Sequence, residues 1–364
     1  MNLPLLHKTL KDLKEPNFRF EQAKRAYFVD FIGSWEEVST FSKPLRTALA
    51  AQVPWTSMKE VKTQASANGD TVKTLFECAD GKKIETVLMR ADDGRNTVCV
   101  SCQVGCPMAC AFCATGTMGL KRQLTADEIV DQVMHFARWL KPTGGTITNI
   151  VYMGMGEPMH NYEVVMQSID ILHDPKGFNL GARHFTISTC GVVPGILKLA
   201  EQPLQINLAI SLHSAINATR SKIMPVNNLY PVEKLMQAVD TYAEKSNRKV
   251  FFEYLLIDGL NDTREEADAL AKLLEHNFRL YHVNLIKYHD TDAFTGTPKE
   301  SRVKFMQRLQ ELGVPVTHRI TFGEDIDAAC GQLAVNDAKG TVEQGKVAIR
   351  KNREDKAAAI AARV

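Results

Sequence analysis

The chain has 364 residues, 45% of them hydrophobic, and a formal net charge of +2. This composition is typical of a globular protein, and the length allows one large domain or two. The net charge is too small to indicate a nucleic-acid partner by itself. No apolar run reaches the roughly 18 residues that a membrane-spanning helix requires, and the first residues lack the continuous apolar core of a signal peptide. We therefore expect a cytoplasmic protein that does not bind membranes.

The sequence up to about residue 65 has a helical hydrophobic period, interrupted by loops that contain proline or glycine. The predicted helical segments are 5–13, 18–32 and 43–51. Two β-rich runs follow at 71–78 and 83–89, and the Asp-Gly pair between them is typical of a hairpin. We predict that residues 1–90 form a small accessory region of helices and one β-hairpin.

From residue 97 onward, short β-rich runs alternate with amphipathic helical segments, which predicts parallel strands joined by crossover helices. The predicted strands are 97–103, 149–154, 184–189, 206–212, 249–257 and 281–288. The predicted helices are 125–140, 162–173, 193–201, 231–245, 264–276 and 299–312. Six β/α units are two short of a closed eightfold barrel, so the predicted fold is an α/β partial barrel with its site at the C-terminal ends of the strands.

This barrel is predicted to span residues 91–335 and to end in a loop that carries Cys330 between small neighbours. A thiol at such a turn has room to react, although a lone cysteine is usually inert. Residues 336–364 are predicted to form a basic tail, because residues 339–364 carry seven Lys and Arg against three Asp and Glu.

Five of the eight cysteines fall within fifteen residues: Cys99, Cys102, Cys106, Cys110 and Cys113. The last three have the spacing Cys-x3-Cys-x2-Cys, which allows three thiolates to hold three corners of an iron–sulfur cube and to leave the fourth iron open. A closed zinc site is the alternative, with Cys99, Cys102, Cys110 and Cys113 as a conceivable ligand set. We favour the cluster because the spacing lies where a predicted strand ends in a loop and a glycine motif follows one unit later.

Polar or glycine-rich clusters follow the other predicted strands at 154–158, 188–191, 211–214 and 288–289. Because parallel strands end at one edge of a barrel, we expect these clusters at one mouth. Gly156 allows a tight turn close to a ligand, and Glu157 or neighbouring carbonyls can accept from an amino group. Ser188, Ser211 and His213 offer contacts to a ribose and a carboxylate. Beside a cluster loop, these features predict a cradle for S-adenosylmethionine.

With these residues in view, the chain resembles the RlmN/Cfr family of radical S-adenosylmethionine RNA methyltransferases. The matching segments are residues 18–46, Gln103-Val104-Gly105-Cys106, residues 153–158, Ser211-Leu212-His213 and residues 325–333. The resemblance implies a radical S-adenosylmethionine barrel with a [4Fe–4S] cluster on Cys106, Cys110 and Cys113 and two molecules of S-adenosylmethionine used per turnover.

The cofactor contacts that the resemblance implies are Gly156, Glu157, Ser188 and the Ser211–His213 strand end, which includes Leu212. His289 stands where the family generally has an asparagine, and we expect it to be a further contact of the cofactor.

The resemblance also implies roles for three residues in methylating an adenine carbon that is not nucleophilic. One S-adenosylmethionine methylates Cys330, and a radical made from a second one removes a hydrogen from that methyl group. The resulting carbon radical adds to the adenine ring. Glu85 matches the family's proton acceptor, and Cys99 matches the cysteine that releases the product by forming a transient disulfide with Cys330.

The implied substrate is 23S rRNA, with transfer RNA as a second one, and carbon 2 of adenine is favoured over carbon 8. Residues 103–106 are closer to the RlmN branch, whereas residues 119–122 and 227–231 are closer to the Cfr branch. The implied electron donor is a flavodoxin or a ferredoxin, and we expect a monomer. Two other functions stay open: a radical enzyme acting on a small molecule, and a non-catalytic, zinc-stabilised RNA-binding protein.

The basic side chains that could contact RNA phosphates are Arg19, Lys24, Arg25, Lys43 and Arg46 in the N-terminal helices, Lys121 and Arg122 beside the cluster loop, and the tail from Lys339.

Overall fold

The computed structural model of the chain describes residues 1–290, 293–329 and 331–333. Three helices come first, α1 (Leu3–Asp12), α2 (Phe18–Phe28) and α3 (Lys43–Gln52). The side chains of Asn2 and Ser42 cap α1 and α3 by accepting from backbone N–H groups of the first turn. This part of the sequence thus forms the helices that its hydrophobic period predicts.

Three antiparallel strands follow, β1 (Met58–Ala65), β2 (Thr71–Cys78) and β3 (Lys83–Arg90). The predicted hairpin is β2 and β3, but the prediction of helix up to residue 65 is wrong for β1. Only Met58 is buried in β1, because this edge strand carries charged side chains toward solvent, and its pairing with β2 shifts between Glu60 and Lys62. An exposed strand of this kind lacks the alternating apolar pattern that would reveal it.

The remaining strands, in chain order, are β4 (Asn96–Cys99), β5 (Gln103–Val104), β6 (Arg122–Gln123), β7 (Asn149–Tyr152), β8 (Phe185–Thr189), β9 (Asn207–Ser211), β10 (Val250–Leu256), β11 (Tyr281–Lys287) and β12 (Val316–His318). Strands β5 and β6 form a small sheet of their own. The other strands form one ten-stranded sheet with β1–β3, in the order β1-β2-β3-β4-β7-β8-β9-β10-β11-β12. From β4 to β12 all neighbours are parallel.

The helices of this part are α4 (Ala114–Thr117), α5 (Ala126–Leu140), α6 (Tyr162–His173), α7 (Val193–Ala200), α8 (Asn217–Ile223), α9 (Val232–Ser246), α10 (Arg264–Leu274) and α11 (Lys299–Glu311). All six predicted strands and all six predicted helices are present. The α/β partial barrel is therefore confirmed, with β12 as an additional, short parallel strand. Within the described residues, no helix combines the length and the apolar character that a bilayer span requires.

The hairpin continues the barrel sheet, because β3 pairs with β4 in an antiparallel register that sets Val87 opposite Cys99. The hairpin was expected to stand apart from the barrel. Its attachment through β4 has a consequence for the site, since it brings the alternating residues Glu85, Val87 and Met89 of one strand face next to the first barrel strand.

Candidate active site

A cavity opens at the C-terminal ends of the parallel strands and contains about 1350 Å³ of space, including its mouth. Each polar or glycine-rich cluster expected at this edge contributes to its wall, so their predicted convergence is confirmed. The predicted site residues that line it are Cys99, Cys106, Cys110, Cys113, Gly156, Glu157, Ser188, Ser211, His213 and His289.

The two ends of the loop that carries the three spaced cysteines approach each other closely at two glycines. A Cβ atom at Gly105 would lie 1.9 Å from the carbonyl oxygen of Gly119, and Gly105 has a φ of +76°. Further along, Ala111 N–H donates to the Ile223 carbonyl at 2.9 Å, which anchors the loop on the end of α8. The loop is thus held on both sides of Cys110.

Two of the three thiols, those of Cys106 and Cys110, are poor acids in this setting. Burial raises the pKa of Cys106 to about 12 and also raises the pKa of Cys110, and neighbouring Cys113 adds to both effects. Thiols that resist ionisation alone become thiolates when a metal centre supplies positive charge. With Cys113, these thiols line one cavity, and three cysteines placed in this way fit the corners of an iron–sulfur cube.

The alternative zinc set is not assembled in this structure. Cys102 is buried in the hydrophobic core and does not line the cavity, in contrast to Cys99, Cys110 and Cys113. Among residues 1–290, 293–329 and 331–333, no three His, Cys, Asp or Glu side chains converge as a single metal ion requires. An iron–sulfur cube binds each cysteine at a different iron, whereas a single zinc ion binds all of its cysteines. The cube therefore does not require the three sulfur atoms to converge on one point.

The glycine turn after β7 approaches the end of β4 too closely for side chains. A Cβ atom at Gly154 would lie 2.7 Å from the Val100 carbonyl oxygen, and one at Gly156 would lie 2.6 Å from Gln103 Cβ. Gly156 also has a φ of +106°, which favours glycine. The Gln103 side chain accepts from Glu157 N–H at 2.8 Å, so it sets the position of the turn.

The carboxylate of Glu157 is engaged within the protein. It accepts from the backbone N–H groups of Met159 at 3.0 Å and of Cys190 at 2.9 Å. Burial raises its pKa, and these hydrogen bonds oppose the rise. Glu157 therefore ties the glycine turn to the end of β8, and the backbone carbonyls of the turn are the groups left to accept from a ligand.

His213 connects three parts of the cavity wall. Its backbone has a φ of +58°, and its Nδ1 accepts from Leu255 N–H at 3.1 Å, which leaves the ring proton on Nε2. Its ring meets the Phe112 ring edge to face, with centroids 4.7 Å apart. Burial lowers its pKa to about 3, with a further decrease from Arg220, so the ring is neutral.

Two predicted site residues do not line the cavity. Glu85 is buried on β3, where Lys73 Nζ lies 3.1 Å from Glu85 Oε1. Lys73 also donates to the Asp327 carbonyl at 3.1 Å. The Leu212 side chain is in the core, and its backbone N–H donates to Glu253. Glu85 nevertheless shares its strand face with Val87, which does line the cavity.

His289 lies at the cavity next to a carboxylate. Its Nε2 is 3.7 Å from Glu324 Oε1, and Lys287 Nζ is 2.9 Å from the same oxygen. Within the described part of the chain, His289 Nε2 has no hydrogen-bond partner although it is buried. Burial lowers the pKa of His289, and Glu324 partly offsets this.

Cys330 lies outside the described residues, but its neighbours on both sides are described. Ala329 and Gly331 line the cavity. The Gly331 carbonyl accepts from Ala114 N–H at 2.8 Å, and the Leu333 carbonyl accepts from the Thr115 hydroxyl at 2.6 Å. The residues that follow Cys330 are therefore bound directly to the residues that follow Cys113.

Three residues of the site were missed or set aside at the level of sequence. Gln103 and Arg220 organise backbone groups around the cavity, and the N–H group of Cys190 binds Glu157. Cys190 and Cys102 look like passengers in the sequence. Gln103 stands in a motif that matches the family, but neither that motif nor an arginine in a short helix indicates which backbone groups the side chain meets.

Several basic residues proposed as RNA contacts are engaged within the protein. Arg122 forms ion pairs with Glu128 at 2.7 Å and Asp80 at 2.8 Å, and Lys24 pairs with Asp174 at 2.8 Å. The basic tail from 339 lies outside the described residues.

Comparison with known proteins identifies the family. The model of the Radical SAM superfamily matches residues 100–270. The probable dual-specificity RNA methyltransferase RlmN of Chloroflexus aurantiacus is 44% identical over 359 residues, which cover 94% of each chain. The protein of the same name from Spiroplasma citri is 48% identical over 307 residues, 84% of this chain and 88% of that protein.

A crystal structure of a radical SAM methyltransferase from Sphaerobacter thermophilus shares the fold. It has a TM-score of 0.87 and 45% sequence identity, covering 92% of this chain and 97% of that one. The superfamily implies a [4Fe–4S] cluster and S-adenosylmethionine, and Cys106, Cys110 and Cys113 lie within the matched residues. Identity at this level over nearly the whole length shows that the chain belongs to the RlmN family of radical S-adenosylmethionine RNA methyltransferases.

Proposed function

We propose that this enzyme methylates carbon 2 of an adenine in 23S rRNA, and of an adenine in transfer RNA, through a methylated Cys330. The observation that carries the proposal is the pair of hydrogen bonds from Ala114 and Thr115 to the Gly331 and Leu333 carbonyls. These bonds hold the chain that follows Cys330 against the residues that follow Cys113. The names of the relatives, dual-specificity RNA methyltransferases, support an RNA substrate.

Cys106, Cys110 and Cys113 would hold the cluster, and the cavity wall beside them would hold S-adenosylmethionine. When bound, the two groups supply a carbon radical that is strong enough to remove hydrogen from a methyl group. The cofactor contacts proposed are the backbone of Gly156 and Glu157, the hydroxyls of Ser188 and Ser211, the backbone of Leu212, and the imidazoles of His213 and His289. The neutral His213 ring offers its Nε2–H as a donor, because Nδ1 is already used by Leu255.

Three side chains carry the methyl group and release the product. The Cys330 thiolate takes a methyl group from S-adenosylmethionine, and the activated methyl carbon then bonds to the ring carbon of adenine. Glu85 accepts the proton that this ring carbon must lose, and the unpaired electron of the adduct would return to the oxidised cluster. The Cys99 thiolate then attacks the Cys330 sulfur, so that a disulfide forms and the carbon–sulfur bond to the RNA breaks. The released carbon takes up a proton and becomes the methyl group of the product.

The external requirements are an electron and a thiol reductant. We propose a flavodoxin or ferredoxin as electron donor and a monomeric enzyme. A cellular dithiol would reduce the Cys99–Cys330 disulfide before the next turnover.

The test is mass spectrometry of nucleosides from 23S rRNA treated with the anaerobically prepared enzyme, against synthetic 2-methyladenosine and 8-methyladenosine. We expect 2-methyladenosine. The product 8-methyladenosine would contradict the assignment of carbon 2, and iron-containing enzyme without either product would favour a small-molecule substrate. A protein that binds one zinc and no iron would contradict the whole proposal.

Cysteine variants separate the proposed roles. Cys330→Ala should retain iron and sulfide but make no methyladenosine. Cys99→Ala should leave RNA covalently attached to the protein, because nothing attacks the Cys330 sulfur. Cys78→Ala is the matched control, since burial raises the pKa of this thiol to about 12 and it lies outside the cavity. Product from Cys330→Ala would overturn the role of that residue.

A further inference from the structure

Arg220 is a fully buried arginine without an acidic partner among the described residues. It lies on α8, and its side chain has no solvent exposure. Its Nε donates to the Leu212 carbonyl at 3.0 Å and its Nη1 to Asn227 Oδ1 at 3.0 Å. Its Nη2 donates to the carbonyls of Cys190 at 2.7 Å and Ser211 at 3.3 Å. All four acceptors are neutral oxygens.

This arrangement contrasts with that of Lys73, a strongly buried cation on strand β2 of the hairpin. Lys73 is paired with Glu85, as expected from the high free energy of an isolated buried charge. Arg220 lacks such a carboxylate in residues 1–290, 293–329 and 331–333. A negative charge held close to Arg220 would therefore meet a cation that no carboxylate of the described residues pairs with.

The geometry points toward the cysteine loop. Three residues beyond Arg220, the Ile223 carbonyl accepts from Ala111 N–H, directly beside Cys110. Cys110, Cys190 and Ile223 also belong to one buried apolar cluster beneath the loop. The Arg220 guanidinium binds the carbonyl of Cys190 at 2.7 Å, so it lies beside the apolar cluster that contains Cys110. Its charge is therefore positioned to act on the thiolates of the loop.

Arg220 is poorly suited to bind a ligand directly. Four of the five N–H donors of a guanidinium are used by the Leu212, Asn227, Cys190 and Ser211 oxygens. It would therefore act through its charge and by holding the ends of β8 and β9 together, rather than through a hydrogen bond to S-adenosylmethionine.

We propose that Arg220 is the buried counter-cation of the cluster and that it favours the reduced cluster, an inference that rests on the cluster site of the proposed function. Reduction adds one negative charge, and a fixed positive charge in a low-dielectric surrounding stabilises that charge more than the oxidised state. Net charge and local hydrogen bonding are among the factors that set the potential of such clusters. Arg220 is a positioning residue in this sense and touches no reacting atom.

The test is a redox titration of the anaerobic holoprotein, followed by electron paramagnetic resonance, with iron and sulfide content measured in parallel. For Arg220→Gln we expect the equilibrium for reduction to be at least tenfold less favourable, which is about 59 mV for one electron. Arg220→Lys keeps the charge and should stay within threefold of wild type. Asn227→Ala removes one acceptor of Arg220 but no charge, and should also stay within threefold.

A fully loaded Arg220→Gln protein with the wild-type potential would overturn the inference. An equal shift in Arg220→Gln and Asn227→Ala would overturn it as well, because it would indicate a packing effect. If Arg220→Gln does not fold, the test uses folded and cluster-loaded Arg220→Lys. A tenfold less favourable reduction of the cluster in that variant would contradict the role of charge. If the wild-type protein holds no iron and sulfide, the proposed function fails instead, so the two failures are distinguishable.

Discussion

Lys73 and Glu85 form a buried ion pair between neighbouring strands of the hairpin, with Lys73 Nζ 3.1 Å from Glu85 Oε1 and both side chains less than a tenth exposed. Lys73 also binds the Asp327 carbonyl at 3.1 Å. One ammonium group therefore connects the proposed proton acceptor with the segment that leads to Cys330.

The first prediction concerns this pair. Lys73→Met should lower the free energy of unfolding by about 3–5 kcal/mol, because it removes the Lys73 ammonium from its contact with the buried Glu85 carboxylate. The double variant Lys73→Met/Glu85→Leu should recover most of the loss. Urea unfolding provides the measurement. The control is Lys82→Met, whose partner Asp80 lies 3.0 Å away in an exposed turn, and it should change little. Equal losses for Lys73→Met and Lys82→Met would contradict the prediction.

Gly156 provides a second prediction, about the cofactor cradle. Gly156→Ala should abolish measurable S-adenosylmethionine binding by the cluster-loaded protein, because its Cβ would meet Gln103 at 2.6 Å and shift the turn. Gly94→Ala is the matched control, with a φ of +86° but no atom within 4 Å. It should cost about 1 kcal/mol of stability from backbone strain and leave binding unchanged. Equilibrium dialysis measures the affinity of both variants for S-adenosylmethionine. Wild-type affinity in Gly156→Ala would refute the cradle.

A third prediction follows from the low pKa of His213, which burial and the charge of Arg220 bring to about 3 from an ordinary value of 6.5. Between these values the unfolded chain binds one more proton than the folded chain, so stability decreases as the pH falls through this window. From pH 7 to pH 5, this residue should cost the wild-type protein about 2 kcal/mol. His213→Gln keeps an acceptor for Leu255 N–H and should lack this component. Unfolding curves that fall equally with pH in both proteins would contradict the assignment.

Glu157 gives a fourth prediction. Glu157→Gln replaces one acceptor oxygen with an NH2 group that faces the N–H of Met159 or Cys190. We expect a loss of about 1–3 kcal/mol in the free energy of unfolding, since one buried N–H is left unsatisfied. Glu163→Gln serves as the control, because Glu163 is exposed and pairs with Lys198 at 2.8 Å on the surface. The prediction fails if thermal unfolding shows the two variants to be equally stable.

The sequence predicted the architecture well where hydrophobic period and burial agree. The helix over Tyr162–His173 has the predicted bounds, and the six barrel strands lie where the apolar runs indicate. The same reasoning failed at Met58–Ala65, because a polar edge strand buries too little to show a period. The spacing of Cys106, Cys110 and Cys113 carried the cofactor prediction, since neighbours in sequence need no long-range contact to come together.

The tertiary structure was required wherever a role depends on a distant partner. The sequence suggested Glu157 as a ligand contact, but its carboxylate is occupied by Cys190, on the next strand end. No site role was predicted for Gln103 or Arg220. Arg122, a proposed phosphate contact, is paired with Glu128 and Asp80. Composition reports that such side chains are charged, and only packing shows which oxygen each one meets.

By itself, the sequence determined the parallel α/β order, the edge at which polar clusters gather and the identity of the three cysteines, because hydrophobic period and local spacing are properties of neighbouring residues. Only the tertiary structure decided that Lys73 meets Glu85 and Asp327, and that Arg220 meets Cys190 and Ser211. The reason is physical: period reports which face is buried, whereas strand register and helix packing select the partner, and the free energy of a buried charge depends on that partner.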